Sequence, residues 1–426
     1  MPAPAQPFPR QGGPLVALLV SGLAFVALMA MFGGETILGF TALNESVRAK
    51  VTALPVVGWG LAQAAAACHC EVLTLGKAAL YLLSLAGLLA AARAGGRQEQ
   101  NRFGRWLAVP LCRAVLALVV VFLLGVVFSA EGAFGILGTH RDALRQASVF
   151  GLLACGMTLV IIGGGIDLAV GSVLALVAVA FSLMTIHWGW SPWLSVPLCL
   201  GLGAACGGVA GTATAWFRIQ PFIATLAMMV FARGLAKTVS GGMKVSTAVK
   251  AADGTFRYVD VPAAFRFIDS RILDGNLSVV TVVFAVCALL TWIALARHRW
   301  GRQVYAIGCN EEAARLSGVP VVLTKVLAYA ASGLLAAVAG LCQAAQEQQG
   351  DPETGAGYEL TAIAIVVIGG TTLTGGRGGI GLTLLGTLTI GYLEKILSIN
   401  AVPEASRLML TGAIIVAAVL AQRRRR

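Results

Sequence analysis

Charged residues are scarce in this chain. Asp, Glu, Lys and Arg make up 12% of its 426 residues and hydrophobic residues make up 58%, whereas about 25% of residues are charged in a typical soluble domain. Such a chain cannot cover a soluble core with polar surface, so the composition excludes an ordinary soluble protein. Its apolar runs suit helices of about 20 residues that cross a bilayer core about 30 Å thick, and they are too long for the alternating strands of a membrane barrel. We therefore predict an all-α fold, a polytopic bundle of transmembrane helices.

The sequence also lacks a pattern for nucleotide hydrolysis. A phosphate-binding loop needs G-x-x-x-x-G-K-[ST], in which backbone amides and a lysine hold the phosphates. Gly76 and Lys77 are followed by Ala78 and have no matching upstream glycine. The four histidines do not pair with acids at ligand spacing. We therefore expect no catalytic residue, no cofactor and no metal site, and any ATP-driven work must come from a separate subunit.

Neither the cysteines nor the net charge indicates a special partner. Most of the nine cysteines lie inside apolar runs, where cysteine behaves as a small hydrophobic residue. The triplet Cys68, His69 and Cys70 has no second ligand pair at suitable spacing, so we interpret it as structural. The net charge is +12, but the basic residues cluster at the ends of apolar runs rather than along one stripe with interleaved aromatics. This pattern indicates membrane lipid and no nucleic acid.

Twelve apolar runs are predicted spans. The first could be a signal peptide, but its apolar part is too long, and we predict a retained helix. The short run at 360–368 is predicted to extend back to Gly357 or to be a broken helix. The predicted spans are 14–32, 73–92, 106–128, 147–162, 168–186, 193–216, 222–239, 279–295, 323–345, 360–368, 382–397 and 408–421.

The distribution of arginine predicts the orientation. Three clusters lie at 93–105, at 297–315 and at the chain end, 423–426. Twelve alternating spans put all three on one side, which the positive-inside rule assigns to the cytoplasm, with both termini inside. The longest external segment, 240–276, contains four aromatic residues. These favour an ordered element, such as a lateral helix that closes the outer gate, since loops of this length are usually functional or disordered.

The segment Arg299 to Pro320 is basic, polar and free of long apolar runs. Asn310 can cap a helix that ends near Gly318, with acids in its positive first turn. A helix this short is unstable alone, so we predict that it docks into a groove of a partner. The candidate docking residues are Asn310, Glu311, Glu312, Arg315 and Leu316.

Two glycine clusters interrupt the spans, one at 163–171 and one at 369–379. Paired glycine interruptions in two halves of a transporter indicate a transport site between the halves, and a tight turn between helices explains them equally well. The candidate translocation-path residues are Gly164, Gly165, Asp167, Gly171, Ser172, Gly369 and Gly370. A separate ladder at Gly203, Gly207 and Gly211 predicts close approach of another helix.

Asp167 is the single residue that most indicates a specific role. A carboxylate at membrane level costs about 2.5 to 3.5 kcal/mol even on the lenient insertion scale, so it must line a cavity, pair or sit at a helix start. Asp is a favourable cap for a helix beginning at Leu168. Two hypotheses remain: a structural cap or turn, and direct contact with a polar substrate.

Four long motifs carry a resemblance to a known family. GMTLVIIGGGIDLAVGSVLAL, IQPFIATLAMMVFARGL, GRQVYAIGCNEEAARLSGV and GYELTAIAIVVIGGTTLTGGRGGIGLTLLG occur in this order between residue 147 and the C-terminus. Together they resemble ribose-type ABC sugar importer permeases. Departures from the family pattern are Cys309 and Ala227, where glycine is usual, and Ala169, where serine is usual. Ala169 puts a polar role at that position in doubt.

The resemblance implies an architecture and a set of partners. A ten-helix permease domain would occupy 105–426 with a coupling loop at 297–322, and 1–104 would be an extension with two further helices. The implied partners are a cytoplasmic ABC ATPase, a periplasmic sugar-binding protein and a second permease copy, in a bacterial inner membrane. The expected function is import of a pentose, hexose or cyclitol. The alternative is an ion-coupled carrier acting without an ATPase, which should hold acids in several spans.

Overall fold

The structure is a computed structural model that describes residues 109–128, 130–250, 256–273 and 275–402, together with 407 and 412. The chain divides into two compact units, Glu99–Lys395 and Met1–Gln98 with Ile396–Arg426. Nearly all described residues belong to the first unit. The predicted extension at 1–104, the spans at 14–32, 73–92 and 408–421, and the Cys68 triplet lie outside the described residues and stay predictions.

Twelve α-helices occur within the described residues. They are α1 Pro110–Phe128, α2 Leu137–Ile162, α3 Val170–Ser182, α4 Pro192–Ala215, α5 Pro221–Ser240, α6 Ala263–Asp269, α7 Val279–Ala296, α8 Arg299–Cys309, α9 Glu311–Leu316, α10 Val321–Glu347, α11 Tyr358–Gly369 and α12 Ile380–Ile399. A 3₁₀-helix, Ala130–Gly135, precedes α2, and a π-helical turn, Leu183–His187, continues α3. Four short strands form two antiparallel hairpins: β1 Ala248–Lys250 with β2 Phe256–Tyr258, and β3 Arg271–Ile272 with β4 Leu277–Ser278.

Membrane-spanning length confirms the predicted fold class. Within the described residues, eight helices are long and apolar enough to cross a bilayer: α1 to α5, α7, α10 and α12. The short run predicted at 360–368 is α11, which begins after Gly357 in a left-handed conformation with φ 82°. Every predicted span that falls wholly in the described part is therefore helical, and the protein is a helical polytopic membrane protein.

The start of α2 differs from its predicted position. The apolar run predicted a span from Ala147, whereas α2 begins at Leu137. The additional residues include Asp142 and Arg145, which form ion pairs with Arg271 and Asp269. Hydropathy detects only the lipid-embedded part of a helix, so it missed a polar extension stabilised by residues more than 120 positions away in sequence.

Aromatic residues mark the two membrane interfaces of α4. Trp193 at its start is 91% exposed, and Trp216 directly after its end is 70% exposed. The 24 residues of α4 span about 36 Å at 1.5 Å per residue, somewhat more than the hydrocarbon core. Tryptophan prefers the interface because its ring is apolar and its N–H is polar. The α8–α9 segment lies at the Trp216 end of the bundle. The segment 248–278, which contains the two hairpins, lies at the other end.

The helix α10 is packed most tightly against α4. A side chain at Gly203 would approach the Gly333 carbonyl to 2.5 Å, and one at Gly207 would collide with the Tyr329 carbonyl. Gly211 faces Val326 and Tyr329 in the same way. The glycine ladder therefore forms the predicted close helix contact. Buried helices α2, α3 and α10 form the centre of this unit.

The described part of the segment 240–276 forms short strands and a helix, in agreement with the order that its aromatic residues predict. Its helix α6 buries Phe265 completely, and the Phe265 ring stacks on Phe181 of α3 with centroids 4.9 Å apart. Phe267, two residues later, is exposed. Thus α6 is a short lateral helix anchored to the bundle by the Phe265 ring and by the ion pair of Asp269 with Arg145; its role as a gate stays a prediction.

Candidate functional site

The segment predicted to dock onto a partner folds into two short helices, which we call the docking segment, Arg299 to Leu316. His298 begins α8 by accepting the Trp300 N–H at Nδ1 over 3.2 Å. Asn310 alone separates α8 from α9, and its Oδ1 accepts the Ala313 N–H over 3.0 Å. The Asn310 cap and the end near Gly318, whose φ is +80°, agree with the prediction. Sequence reasoning did not separate α8 as a helix of its own.

One side of the docking segment is packed and the other is free. Ile307, Ala314 and Val321 form a buried cluster that fixes α8, α9 and the start of α10 to one another. On the opposite side, Glu312 is exposed and Leu316 is 82% exposed. A large apolar side chain held in solvent at the tip of a capped helix is suited to a partner's groove.

Glu311 is engaged within the chain. Its carboxylate lies 3.0 Å from Arg315 one turn later and 2.5 Å from Lys325 at the start of α10. Lys325 is only 17% exposed, so this pair fastens α9 to α10. Of the two acids predicted to contact a partner, Glu312 is therefore the one that lies on the exposed side of α9 and is available to a partner.

Both glycine clusters meet at the end of α8, in what we call the glycine junction: Gly164, Gly308, Gly375 and Gly376. The Gly376 N–H donates to the Ile162 carbonyl over 2.9 Å. A side chain at Gly308 would collide with that same carbonyl, and one at Gly375 would come within 3.1 Å of Gly164. Three stretches of backbone from distant parts of the sequence thus touch without intervening side chains.

Tyr305 ties the junction to α8. Its hydroxyl donates a 2.9 Å hydrogen bond to the carbonyl of Gly378, in the connection between α11 and α12. Burial raises the pKa of Tyr305, so the hydroxyl stays protonated and able to donate. Gly378 has φ +146°, a backbone conformation that residues other than glycine rarely adopt.

A cleft opens beside the junction. It is bordered by Gly163, Gly164, Gly165, Thr214, Lys325 and Tyr329, among others. Gly165 is tightly packed there, because a side chain at this position would strike the Tyr329 hydroxyl. The cleft lies at the end of the bundle that carries the docking segment.

Asp167 is buried inside the protein. It is 2% exposed and accepts hydrogen bonds from the Ser332 hydroxyl, at 2.7 Å, and from the Ala169 N–H, at 3.0 Å. The helix α3 begins at Val170 with Ala169 as its N-cap, so of the predicted structural cap or turn, the structure has the turn. Asp167 closes this turn, three residues before the helix begins, by accepting the Ala169 N–H.

The other path candidates occupy separate contacts. Gly171 packs against the Gly355 turn before α11, where a side chain would collide with the Gly355 carbonyl, and Ser172 beside it is buried. Gly369 packs against the Leu382 carbonyl of α12, and Gly370 against Pro110 of α1. The structure therefore brings Gly164 to the second glycine cluster but distributes the remaining candidates over several helix contacts.

At the opposite end of the bundle, α5 holds a segment that we call the outer strap, 350–354. Arg233 donates to the carbonyls of Pro352 and Thr354 at 2.5 and 2.7 Å. Lys237 pairs with Glu353 at 2.6 Å, and Val245 exchanges two backbone hydrogen bonds with Gly350. Asp351 raises the pKa of Lys244 through a hydrogen bond. Sequence reasoning missed this strap because its partners are more than a hundred residues apart.

Comparison with known proteins identifies the family. Residues 139–419 match the model of the "Branched-chain amino acid transport system / permease component" family. The chain belongs to this permease family. Because the match spans the two glycine clusters and the docking segment, these features lie within the permease domain that the family defines.

Individual relatives cover most of their own length. The chain is 38% identical over 309 residues to the ribose import permease protein RbsC of Escherichia coli K12, covering 72% of this chain and 92% of that protein. It is 38% identical over 284 residues to the RbsC protein of Bacillus subtilis 168, covering 67% and 84%. It is 35% identical over 321 residues to the fructose import permease protein FrcC of Rhizobium meliloti, covering 73% and 84%. No solved structure matches the chain. The resemblance to ribose-type permeases is confirmed.

Proposed function

We propose that this protein is the membrane subunit of an ATP-driven importer for a monosaccharide. The relatives named for ribose and fructose import support a sugar as the transported substrate. The docking segment is the observation that carries the proposal, because its capped helix holds Leu316 and Glu312 free on one side. A protein that works alone has no evident use for such a helix.

The docking segment would receive a cytoplasmic ATPase. The arginine-rich loop around α8 supports a cytoplasmic position for this end of the bundle, and both chain termini would lie on the same side. A periplasmic sugar-binding protein would deliver sugar at the opposite end, where α6 and the outer strap lie. A second permease copy would complete the translocation path.

An ion-coupled carrier acting without an ATPase is the alternative. Such a carrier needs acidic ion ligands within its spans. In the described spans, the acids Asp142, Glu347, Glu359 and Glu394 lie near helix ends, and Asp167 directs its oxygens to Ser332 and Ala169. This arrangement favours the importer.

Reconstitution into liposomes tests the proposal. The permease, an ABC ATPase and a sugar-binding protein encoded beside it should together take up labelled ribose or fructose in the presence of ATP. The purified permease without its ATPase should hydrolyse no ATP above background. Uptake that needs no ATPase and collapses when a protonophore is added would instead establish the carrier.

A further inference from the structure

We propose that Tyr305 is a positioning residue that passes movement of the docking segment to the connection between α11 and α12, and thereby sets how much sugar is moved per ATP hydrolysed. This inference rests on the proposed importer function. It assigns a role to the hydrogen bond between the Tyr305 hydroxyl and the Gly378 carbonyl.

The first step is the joint between α9 and α8. Asn310 is the single residue between them, with φ −162° and ψ 107°. Its backbone N–H donates to the Ala306 carbonyl of α8, and its side chain accepts the Ala313 N–H of α9. Because Asn310 is bonded to both helices, a movement of α9 is transmitted to α8.

The second step is the contact of α8 with two helix connections. Gly308 lies against the end of α2, where no side chain fits between it and the Ile162 carbonyl. The Gly376 N–H is bonded to that same carbonyl, so the end of α2 and the connection between α11 and α12 are held together beneath α8. A shift of α8 therefore acts on both connections at once.

The third step is the compliance of the connection between α11 and α12. Gly375, Gly376 and Gly378 have φ values of +83°, +70° and +146°, so this stretch can change its backbone angles where other residues could not. Compliance alone would absorb a push rather than transmit it. Two side chains of α8 reach this stretch: the Cys309 thiol lies 3.8 Å from the Gly376 carbonyl, and the Tyr305 hydroxyl makes the shorter bond, to Gly378 at 2.9 Å, two residues before α12 begins at Ile380.

A hydroxyl deletion tests this role. Tyr305→Phe keeps the ring and removes the bond, and Tyr258→Phe removes the same group from the exposed tyrosine of β2 as a matched control. Each variant is reconstituted with the ATPase and binding protein at equal membrane abundance, and uptake and ATP hydrolysis are measured in the same vesicles. We expect Tyr305→Phe to lower the ratio of sugar to ATP roughly fivefold, which is what one ordinary hydrogen bond corresponds to, and Tyr258→Phe to leave it unchanged.

The outcomes separate the two proposals. Wild-type vesicles that take up no sugar with the ATPase would overturn the importer function and this role together. Wild-type uptake with an unchanged ratio in Tyr305→Phe, or an equal fall of uptake and hydrolysis, would overturn the role of Tyr305 alone. A second measurement uses the exposed Arg377: trypsin cleavage after Arg377 should slow when the ATPase binds the wild type. Equal slowing in Tyr305→Phe would also contradict the proposal.

Discussion

Asp167 and Ser332 are 165 residues apart in the sequence, and the Ser332 hydroxyl donates a 2.7 Å hydrogen bond to the Asp167 carboxylate. This bond joins the connection between α2 and α3 to the middle of α10. The second oxygen of Asp167 accepts the Ala169 N–H, which shapes the turn that starts α3. A carboxylate with both oxygens occupied inside the protein is better suited to hold this turn than to bind a passing sugar.

Two substitutions of Asp167 distinguish holding from binding. Asparagine can still accept the Ala169 N–H and meet the Ser332 hydroxyl, whereas leucine can do neither. We expect Asp167→Asn to retain much of the initial uptake rate of labelled sugar and Asp167→Leu to lose it, when both are compared at matched membrane abundance. An equal and severe loss in both variants would show that the charge itself is needed.

Local features of this chain were predictable and distant pairings were not. The Asn310 cap, the turn at Gly318 and the start of α11 after Gly357 follow from residues within one helical turn. The pair of Glu311 with Lys325 and the grip of Arg233 on the outer strap depend on how helices pack. Neither leaves a signal in composition or spacing. The glycine clusters were visible in the sequence, but their meeting at Gly308 was not.

The free side of the docking segment should bind the ATPase. Leu316→Ser removes the exposed apolar side chain without disturbing the buried cluster around Ala314. We expect weaker co-purification of the ATPase, with the affinity lowered about thirtyfold as for an interface hot spot of about 2 kcal/mol, and normal membrane insertion. Leu273→Ser, at an equally apolar and 68% exposed position in the opposite end of the bundle, is the control. Equal co-purification of both variants with the ATPase would contradict the docking role.

The close contact of α4 with α10 at the glycine ladder should be sensitive to added side-chain volume. Gly207→Ala would push a methyl group into the Tyr329 carbonyl of α10, and overpacking of this kind costs about 1–3 kcal/mol. Gly201→Ala on the same helix meets nothing within 4 Å and should be neutral or slightly stabilising, since alanine favours helix more than glycine. Thermal unfolding in detergent should show a lower midpoint for Gly207→Ala only. A similar midpoint for both variants would mean that α4 and α10 can separate at no cost.

The outer strap should open when its arginine is removed. Arg233→Met leaves the carbonyls of Pro352 and Thr354 without their donor, and an unsatisfied buried group costs about 1–3 kcal/mol. Lys237→Met removes a pair whose side chains are 47% and 65% exposed, and exposed pairs contribute about 0–1 kcal/mol.

Cleavage after Glu353 by a glutamate-specific protease reports strap opening, because cleavage follows the population of the open state. We expect the cleavage rate to rise about 5- to 150-fold in Arg233→Met and by less than about fivefold in Lys237→Met, the factors that these energies correspond to. Equal rates in the two variants would show that the strap is held by its backbone bonds to Val245 and not by Arg233.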